Sequence, residues 1–493
     1  MTHSAADSPL PAHRLPAHKG RSLILLGHGS HLNANSSEAV RGHAAAVRAT
    51  HLFDEVLEAS WKEEPSLREV LGLAQFCDVT AVPLFVSEGY FTGTVIPREL
   101  GLEWRGRVPP EGVTEVLEGR RVHYTRPYGV HPAMAGVIRA RAAEVCPEWS
   151  AADTALIVLG HGTGRDAQSQ QAIEAAAAAL RGTGEFAEVA ALYLDQEPRV
   201  ERWPELVGAP RVVIVPFFAS EGWHTQETIP ADLELDGPRT ELTVNGGPRT
   251  VFYARPVGTH PAVTEVIVSL VAACKTAAAP VHPAWAEAGA ALTAALERAG
   301  AAGLRVGEVQ ITPLEAGGHD LRHVLDAGRR DLQPIALREL GAYTGRTAAG
   351  EHRPIRTQLN LRRGWRTLAS AGEVRRALQA VYPSVLEQAA AAQAGQLQPT
   401  PWPDTAGRQS GIYSRVGDAP PETVAQVQAE LCSRCARTPL WPTAANKPSA
   451  LLDATFLDES GGLLPCPEAC TLLVSAVREA MPRRKSPKEA PHD

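Results

Sequence analysis

The sequence lacks several features that would place it in a specialised class. Its 493 residues contain no apolar run of about 18 residues, the length that a membrane-spanning helix needs. Positive charge is not in surplus, because 48 Lys and Arg are outnumbered by 55 Asp and Glu and the net charge is −7. We therefore expect neither a membrane protein nor a general nucleic-acid binder.

Both chain ends also lack apolar patterning. Residues 1–20 carry His and Pro but no hydrophobic segment, so we expect a disordered tail there and no secretory signal. Residues 483–493 form a second expected tail. The seven cysteines are an odd number, which together with the missing export signal argues for a reducing, cytosolic compartment.

What the sequence does contain is an internal duplication. A short apolar run followed by Gly-His-Gly occurs twice, and its histidines, His28 and His161, are 133 positions apart. At the same offset "VPLFVSEGYFTGTVIPREL" (82–100) matches "VPFFASEGWHTQETIPADL" (215–233). A repeat of this length is the size of a domain, so it indicates gene duplication and not a solenoid.

Each half has the pattern of alternating strands and helices. Continuous apolar runs of roughly four to eight residues are separated by longer helical stretches, which predicts parallel sheets with helices on both faces. Pro83 and Pro216 are expected near strand ends, because proline does not fit a central strand. The predicted strands are residues 23–26, 56–60, 79–86, 156–159, 189–194 and 212–218.

The histidines follow strands whose carboxyl ends meet at one edge of the sheet, where folds of this kind bind ligands. His224 follows the third strand of the second half, so we expect it to face the same cleft as His161. Two neutral imidazoles with carboxylates nearby suit a borderline divalent ion. In the first half Phe91 stands in place of His224, so that half retains His28 and Glu88 without a second imidazole.

At these residues the sequence resembles the class II tetrapyrrole metal chelatases, specifically the sirohydrochlorin cobaltochelatases and ferrochelatases. The shared motifs are "LLGHGS" (25–30) and "VPFFASEGWHTQETIP" (215–230), and the resemblance covers residues 21–275. It implies a flavodoxin-like fold for each half and a metal site in the cleft between them. It also implies the insertion of Co²⁺ or Fe²⁺ into a preformed macrocycle without ATP.

The resemblance also implies roles for individual residues. His161 and His224 match the metal-binding histidines of the family, and imidazoles can accept protons that leave the macrocycle. Glu221, in the same loop as His224, is the first choice for a carboxylate that takes or relays a second proton. Asp195 and Glu197 compete for that role.

The first half is expected to contribute His28 and Glu88 to the same cleft. The substrate class carries many carboxylates, which calls for cationic contacts. Arg126 and Arg255, each after the last strand of its half, are candidates for those contacts, and structural ion pairs are the alternative.

The duplication ends near residue 275. Residues 280–400 are predicted to form an accessory α+β domain that opens with a helix. Residues 353–383 are locally basic, which fits a solvated helix face, a domain interface or a patch for an acidic ligand. His319 and His323 would share one face of a helix, but the segment lacks the Glu of a zinc-protease motif.

Four cysteines group in the region predicted as a separate domain at residues 405–482. Their spacing, C-x2-C, a gap of 30 residues and C-x3-C, is a strong metal-site signal. The x3 spacing and the flanking prolines favour a [4Fe–4S] cluster, with structural zinc and unligated thiols as alternatives. Some long chelatases of the resembled family carry Cys-rich C-terminal extensions, so the resemblance also points to a cluster. The four residues are Cys432, Cys435, Cys466 and Cys470.

The sequence therefore predicts an α/β protein with two duplicated flavodoxin-like halves, residues 21–147 and 153–275, and a mainly helical or α+β C-terminal region. The leading hypothesis is a sirohydrochlorin cobaltochelatase of corrinoid biosynthesis, compatible with a homodimer. Ferrochelation for sirohaem is the nearest alternative, because Co²⁺, Fe²⁺ and Ni²⁺ use similar N and O ligands. A non-catalytic metal- or redox-responsive protein on the same fold is an alternative of a different class.

Overall fold

The computed structural model of the protein describes residues 18–30, 37–162, 167–274, 278–346, 361–435, 437–443 and 464–482. These residues form two compact units. The first extends to His282 without Lys62–Glu64, and the second comprises Lys62–Glu64 and the chain from Pro283 onward. The predicted tails lie outside the described residues, apart from residues 18–20, which begin the first strand.

The first half alternates strands and helices as its apolar pattern predicted. Each predicted strand lies within an observed strand or overlaps one. The elements are β1 (His18–Gly27), α1 (Glu38–Ala49), β2 (Phe53–Ser60), α2 (Val70–Leu73), β3 (Asp78–Pro83), α3 (Ile96–Leu100), β4 (Val113–Leu117), β5 (Arg120–Tyr124) and α4 (Met134–Val145).

The second half repeats this order element by element. Its third strand ends at Pro216, as β3 ends at Pro83, so the prediction that both prolines lie at strand ends is confirmed. The elements are β6 (Thr154–Gly160), α5 (Ala167–Thr183), β7 (Glu188–Tyr193), α6 (Trp203–Leu206), β8 (Arg211–Pro216), α7 (Ile229–Asp232), β9 (Arg239–Val244), β10 (Gly247–Tyr253) and α8 (Val263–Ala272).

Each half contains one five-stranded sheet, ordered β2-β1-β3-β5-β4 in the first and β7-β6-β8-β10-β9 in the second. Four strands of each sheet are parallel, as predicted. The edge strands β4 and β9 instead pair antiparallel with β5 and β10, so the sheets are rich in parallel pairs without being parallel throughout. Residues of β4 alternate between half-buried and exposed, and a search for continuous apolar runs passes over such a strand.

The two halves share one hydrophobic core. Leu23 and Leu25 of β1 pack in the same cluster as Leu156 and Val158 of β6. The residue between the first two, Ile24, points to the opposite face of its sheet and joins a second cluster. All five side chains are fully buried. The shared core fixes the halves relative to each other, and with them the sheet edges at which the candidate residues lie.

The second unit contains the predicted opening helix, followed by strands and further helices. Its elements are α9 (Pro283–Ala299), β11 (Leu304–Val306), β12 (Val309–Pro313), β13 (His319–His323), β14 (Gln333–Pro334), α10 (Leu337–Thr344), β15 (Trp365–Ala369), α11 (Val374–Val381), α12 (Val385–Gln393), α13 (Trp402–Gly407), α14 (Pro421–Cys432), β16 (Arg437–Pro439), β17 (Leu464–Cys466) and α15 (Thr471–Ala480).

A five-stranded sheet ordered β11-β12-β13-β15-β14 organises the first part of this unit. His319 and His323 lie on strand β13, so the helical placement considered for them is wrong. His323 is buried, and its Nδ1 accepts the Leu325 N–H at 3.0 Å. The basic segment contributes β15 and α11, and its first part, residues 353–360, lies outside the described residues. Within the described ranges, no helix has the length and apolar character needed to cross a membrane.

Candidate functional site

The loop after β6 places His161 at the carboxyl edge of the second sheet. Gly160 ends β6, and a Cβ at this position would lie 2.0 Å from Cδ1 of Ile173 in α5. Gly162 has a φ of +71°, a left-handed conformation that glycine adopts without strain. The two glycines therefore let the chain turn sharply out of the strand and leave His161 partly exposed at the edge.

His224 lies in the loop after β8 and begins a π-helical turn, His224–Thr228. Thr225 fixes this turn from two sides. The Gly222 N–H donates to Thr225 Oγ1 at 3.0 Å, and the Tyr253 hydroxyl donates to the Thr225 carbonyl at 2.9 Å. The imidazole of His224 is thus carried by a segment held in place by β10.

The structure brings His161 and His224 together. Their ring centroids lie 5.2 Å apart, with the ring planes at 81°. Asp195, in the loop after β7, lies 3.2 Å from His161, measured from its Oδ2 to Nδ1. The described residues contain no preformed group of three metal ligands. Two imidazoles and one carboxylate nevertheless meet at an open sheet edge, and such donors suit borderline divalent ions.

The other predicted carboxylates are engaged by arginines. Arg255 donates through Nε to Glu221 at 2.7 Å, and Arg126 does the same to Glu88 at the same distance. Both arginines therefore form ion pairs through Nε. Glu197 contacts Arg202 at 3.3 Å. Among the three carboxylates proposed for the second half, Asp195 is the one in contact with an imidazole.

The first half surrounds its histidine differently. The ring of His28 lies 5.3 Å from that of Trp61 and 5.2 Å from that of Phe91. At the duplication offset of 133, Lys62 corresponds to Asp195, just as Phe91 corresponds to His224. The first half therefore has other residues in place of two of the three possible metal ligands of the second half. Sequence reasoning found the change at Phe91 and missed the one at Lys62, although the same offset reveals it.

A cavity of about 210 Å³ opens beside His28 between the two halves. The first half lines it with His28, Phe85 and other side chains, and the second half contributes Ala219 and Ser220 from the loop that leads to His224. The hydroxyl of Tyr128, another lining residue, is buried without a hydrogen-bond partner among the described residues. Loops of both halves thus line one cavity, and the family resemblance implied a cleft between the halves.

The four grouped cysteines lie in the second unit on two segments of the chain, and within the described residues they too form no preformed group of three metal ligands. β16 pairs in parallel with β17, and Cys466 ends β17. Cys466 and Cys470 pack against a hydrophobic cluster that includes Trp441. Burial raises the pKa of all four thiols, to about 11 at Cys432 and about 12 at Cys470.

The two cysteine pairs lie close enough to affect each other, because negative charge on Cys432 or Cys435 would add to the burial that raises the pKa of Cys470. Four half-buried sulfur donors fit a thiolate-bound metal group, because such a group stabilises thiolates that burial alone disfavours. The donor set therefore fits an iron–sulfur cluster and also fits zinc.

Three family models match successive parts of the chain. The CbiX family matches residues 22–145 and 155–274, which are the two halves. The DR2241 stabilising domain matches residues 287–393, and a 4Fe-4S iron–sulfur cluster binding domain matches residues 394–479.

A relative from Halobacterium salinarum, named a probable sirohydrochlorin cobaltochelatase, is 40% identical over 263 residues. The match covers 50% of this chain and 89% of the relative. The chain belongs to the CbiX chelatase family. The family resemblance stated from the two motifs is thereby confirmed, and with it the prediction that the protein is a metal chelatase.

The crystal structure of DR2241 from Deinococcus radiodurans matches this chain beyond the two halves. It is 41% identical, with a TM-score of 0.79, over 93% of this chain and 98% of that one. DR2241 is described as a multi-domain protein with structural similarity to chelatases and two additional novel domains. The predicted arrangement of two chelatase-like halves followed by a C-terminal region is therefore confirmed.

Proposed function

We propose that this enzyme inserts a divalent metal, Co²⁺ in preference to Fe²⁺ or Ni²⁺, into sirohydrochlorin for corrinoid biosynthesis, without ATP. The observation that carries the proposal is the meeting of His161, His224 and Asp195 at one open sheet edge. The name of the H. salinarum relative supports the substrate and the metal. Ferrochelation for sirohaem is the alternative, since neighbouring first-row ions accept the same ligands.

In the proposed reaction, the ion first binds the neutral imidazoles of His161 and His224. Nitrogen and oxygen donors hold such an ion less firmly than a set of thiolates would, so it can pass on to the macrocycle. Two pyrrole N–H protons must leave as the metal enters. Asp195 accepts one of them, and an imidazole released by the departing ion accepts the other.

The remaining candidate residues receive supporting roles. We assign Asp195, in place of Glu221, as the carboxylate that takes a proton, because Glu221 is paired with Arg255. Glu221 and Glu88 orient their loops through these arginine contacts. His28 faces the cavity between the halves, and in the first half Phe91 stands in place of His224.

We further propose that the four cysteines bind a [4Fe–4S] cluster, with structural zinc as the alternative. When bound, the cluster supplies one-electron redox chemistry. Metal insertion changes no oxidation state, so the four cysteines lie outside the insertion steps. A reducing cytosol, where we place the enzyme, would keep the thiols available.

The test is a metal-insertion assay under anaerobic conditions, with Co²⁺, Fe²⁺ and Ni²⁺ supplied in parallel and insertion followed by the absorbance of the macrocycle. We expect the fastest enzyme-dependent rate with Co²⁺. The double variant His161→Ala/His224→Ala is the matched control for uncatalysed insertion. A faster rate with Fe²⁺ would favour the sirohaem alternative, and rates equal to the control with every metal would overturn the proposal.

A further inference from the structure

Two aromatic side chains project into solvent at equivalent positions of the two halves. Tyr90 is 67% exposed and Trp223 is 69% exposed, and they are separated by the duplication offset of 133. Among the described residues, eight large apolar side chains are strongly exposed, and these two are the aromatic ones. Leaving so much aromatic surface in water is unfavourable, and a ligand that covers both rings would remove that cost.

The exposure is set by the fold and not by a loose loop. In the first half the Gly89 N–H donates to Thr92 Oγ1 at 3.1 Å, and the Tyr124 hydroxyl donates to the Thr92 carbonyl at 2.7 Å. These contacts repeat those that fix Thr225 in the second half. Tyr90 and Trp223 are therefore each presented by a loop that the last strands of its half hold in place.

Both aromatic residues adjoin the proposed insertion site. Trp223 directly precedes His224, whose ring lies 5.2 Å from that of His161. Tyr90 directly precedes Phe91, which packs against His28 on the other side of the cleft. Each aromatic residue thus lies in the loop that carries His224 or, in the first half, its counterpart Phe91.

An exposed arginine accompanies each of these loops. Arg255 is 65% exposed and donates through Nε to Glu221. Arg107 is 61% exposed and donates through Nε to Glu88. Each arginine contacts its glutamate through Nε. The terminal nitrogens of the two guanidinium groups can therefore donate to a further anionic partner.

We propose that Trp223 and Tyr90 are positioning residues that stack against the tetrapyrrole macrocycle, while Arg255 and Arg107 meet carboxylates at its edge. This inference rests on the proposed function, because it takes sirohydrochlorin as the ligand. A flat conjugated ring with a carboxylate periphery matches an aromatic rim flanked by cations. Trp223 is expected to contribute more than Tyr90, because its ring is larger and it directly precedes His224 in the chain.

The experiment compares Trp223→Leu with the conservative Trp223→Phe, using Val116→Ser as a control at an exposed apolar residue of strand β4. Stacking holds substrate and transition state alike, so its loss raises KM and leaves kcat nearly unchanged. We expect the KM for sirohydrochlorin to rise about threefold to tenfold in Trp223→Leu. Trp223→Phe should recover most of the loss, and Tyr90→Leu should show a smaller rise.

Two further measurements separate this inference from the proposed function. Co²⁺ binding without macrocycle should be the same in Trp223→Leu and in the unaltered enzyme, and the Kd for metal-free sirohydrochlorin should rise with KM. An unaltered enzyme that neither binds nor metallates sirohydrochlorin would overturn the proposed function. An active enzyme whose Trp223→Leu variant keeps its KM would overturn the stacking role alone. A change of oligomeric state without a change in KM would assign Trp223 to a subunit contact instead.

Discussion

His161 and His28 occupy equivalent positions in the duplication, yet their neighbours give them different chemistry. His161 lies against His224 and Asp195, which offer a second imidazole and a carboxylate. His28 lies against the rings of Trp61 and Phe91, which offer no donor to a metal ion. The two imidazoles therefore differ in their surroundings, and this difference is the reason for proposing the metal site in the second half.

The first prediction tests this division between the halves. His161→Ala and His224→Ala should each lower the initial rate of Co²⁺ insertion at least about tenfold, because each removes a metal ligand and proton acceptor. His28→Ala should lower the rate less. Initial rates at saturating macrocycle measure all three. Loss of activity in His28→Ala with retention in His224→Ala would move the site to the first half.

The second prediction distinguishes the two carboxylates. Asp195→Asn keeps the size of the side chain but cannot accept a proton, so the insertion rate should fall about tenfold. Glu221→Gln breaks an exposed ion pair with Arg255, and such pairs contribute little, so its effect should be smaller. Rates of the two variants, measured side by side, decide the assignment. A larger loss in Glu221→Gln would return the proton-accepting role to Glu221.

At the scale of elements, one glycine in each half sets how closely two loops approach. A Cβ at Gly258 would lie 2.1 Å from the carbonyl oxygen of Ala219, and one at Gly129 would lie 2.0 Å from that of Val86. Ala219 belongs to the loop that leads to His224. The position of that imidazole thus depends on a backbone contact that tolerates no side chain.

The third prediction contrasts this contact with an unconstrained glycine. Gly258→Ala should lower both the free energy of unfolding and the insertion rate, because the loop carrying His224 must move. Gly42→Ala is the matched control, since Gly42 is exposed within α1 and an added Cβ meets nothing within 4 Å. It should raise the free energy of unfolding by about 0.5–1 kcal/mol. Chemical denaturation and initial rates measure both effects, and equal stability in the two variants would contradict the argument.

The sequence was most informative where burial leaves a simple pattern. The runs at residues 23–26 and 156–159 are apolar throughout because both faces of their strands are buried, so they were recognised as strands. Strand β4 is half exposed and has no such run, so it was missed. His319 and His323 are four apart, a spacing that shares a face in a helix and in a strand alike, and the sequence alone did not separate the two.

The candidate site shows the same limit. The sequence predicted that His161 and His224 face one cleft, because both follow apolar strands whose carboxyl ends meet at the same sheet edge. It did not rank Asp195 above Glu221, since both follow strands at the same edge and only side-chain geometry shows that Arg255 engages Glu221. The structure therefore adds the side-chain distances, and these show that Asp195 contacts the imidazole of His161 while Glu221 contacts Arg255.

At the scale of the first unit, polar contacts tie the halves together inside their shared core. His43 of α1 reaches across to the second half, where its Nε2 donates to the Gly258 carbonyl at 2.8 Å and Thr264 lies 3.1 Å from its Nδ1. Arg141 of α4 donates to the carbonyl of Pro256. Burial, and to a smaller extent the charge of Arg141, lowers the pKa of His43 below its usual 6.5.

The fourth prediction follows from the sign of that shift. A histidine with a lowered pKa in the folded state is neutral there, whereas the unfolded chain takes up a proton below about pH 6.5. Its contribution to stability is therefore fully present above that pH and is lost as the pH falls. The glutamine of the His43→Gln variant does not titrate. Between about pH 7.5 and 5.5 the free energy of unfolding should therefore fall less in this variant than in the unaltered protein, as measured by denaturant titration. Parallel pH profiles for the two proteins would contradict this.

At the scale of the whole molecule, the residues proposed for insertion all lie in the first unit, and the four cysteines lie in the second. Cys466→Ser should therefore remove the cluster and leave Co²⁺ insertion at least partly intact, because insertion transfers no electron. Protein purified without oxygen should be brown and contain roughly four irons per chain if the four cysteines ligate one cluster, and Cys466→Ser should be bleached.

These outcomes are measured by iron analysis, visible absorbance and insertion rate. Cys77→Ser, outside the group of four, is the matched control. A colourless protein with one zinc per chain would exclude the cluster, and complete loss of insertion in a folded Cys466→Ser variant would show that the second unit takes part in the chemistry.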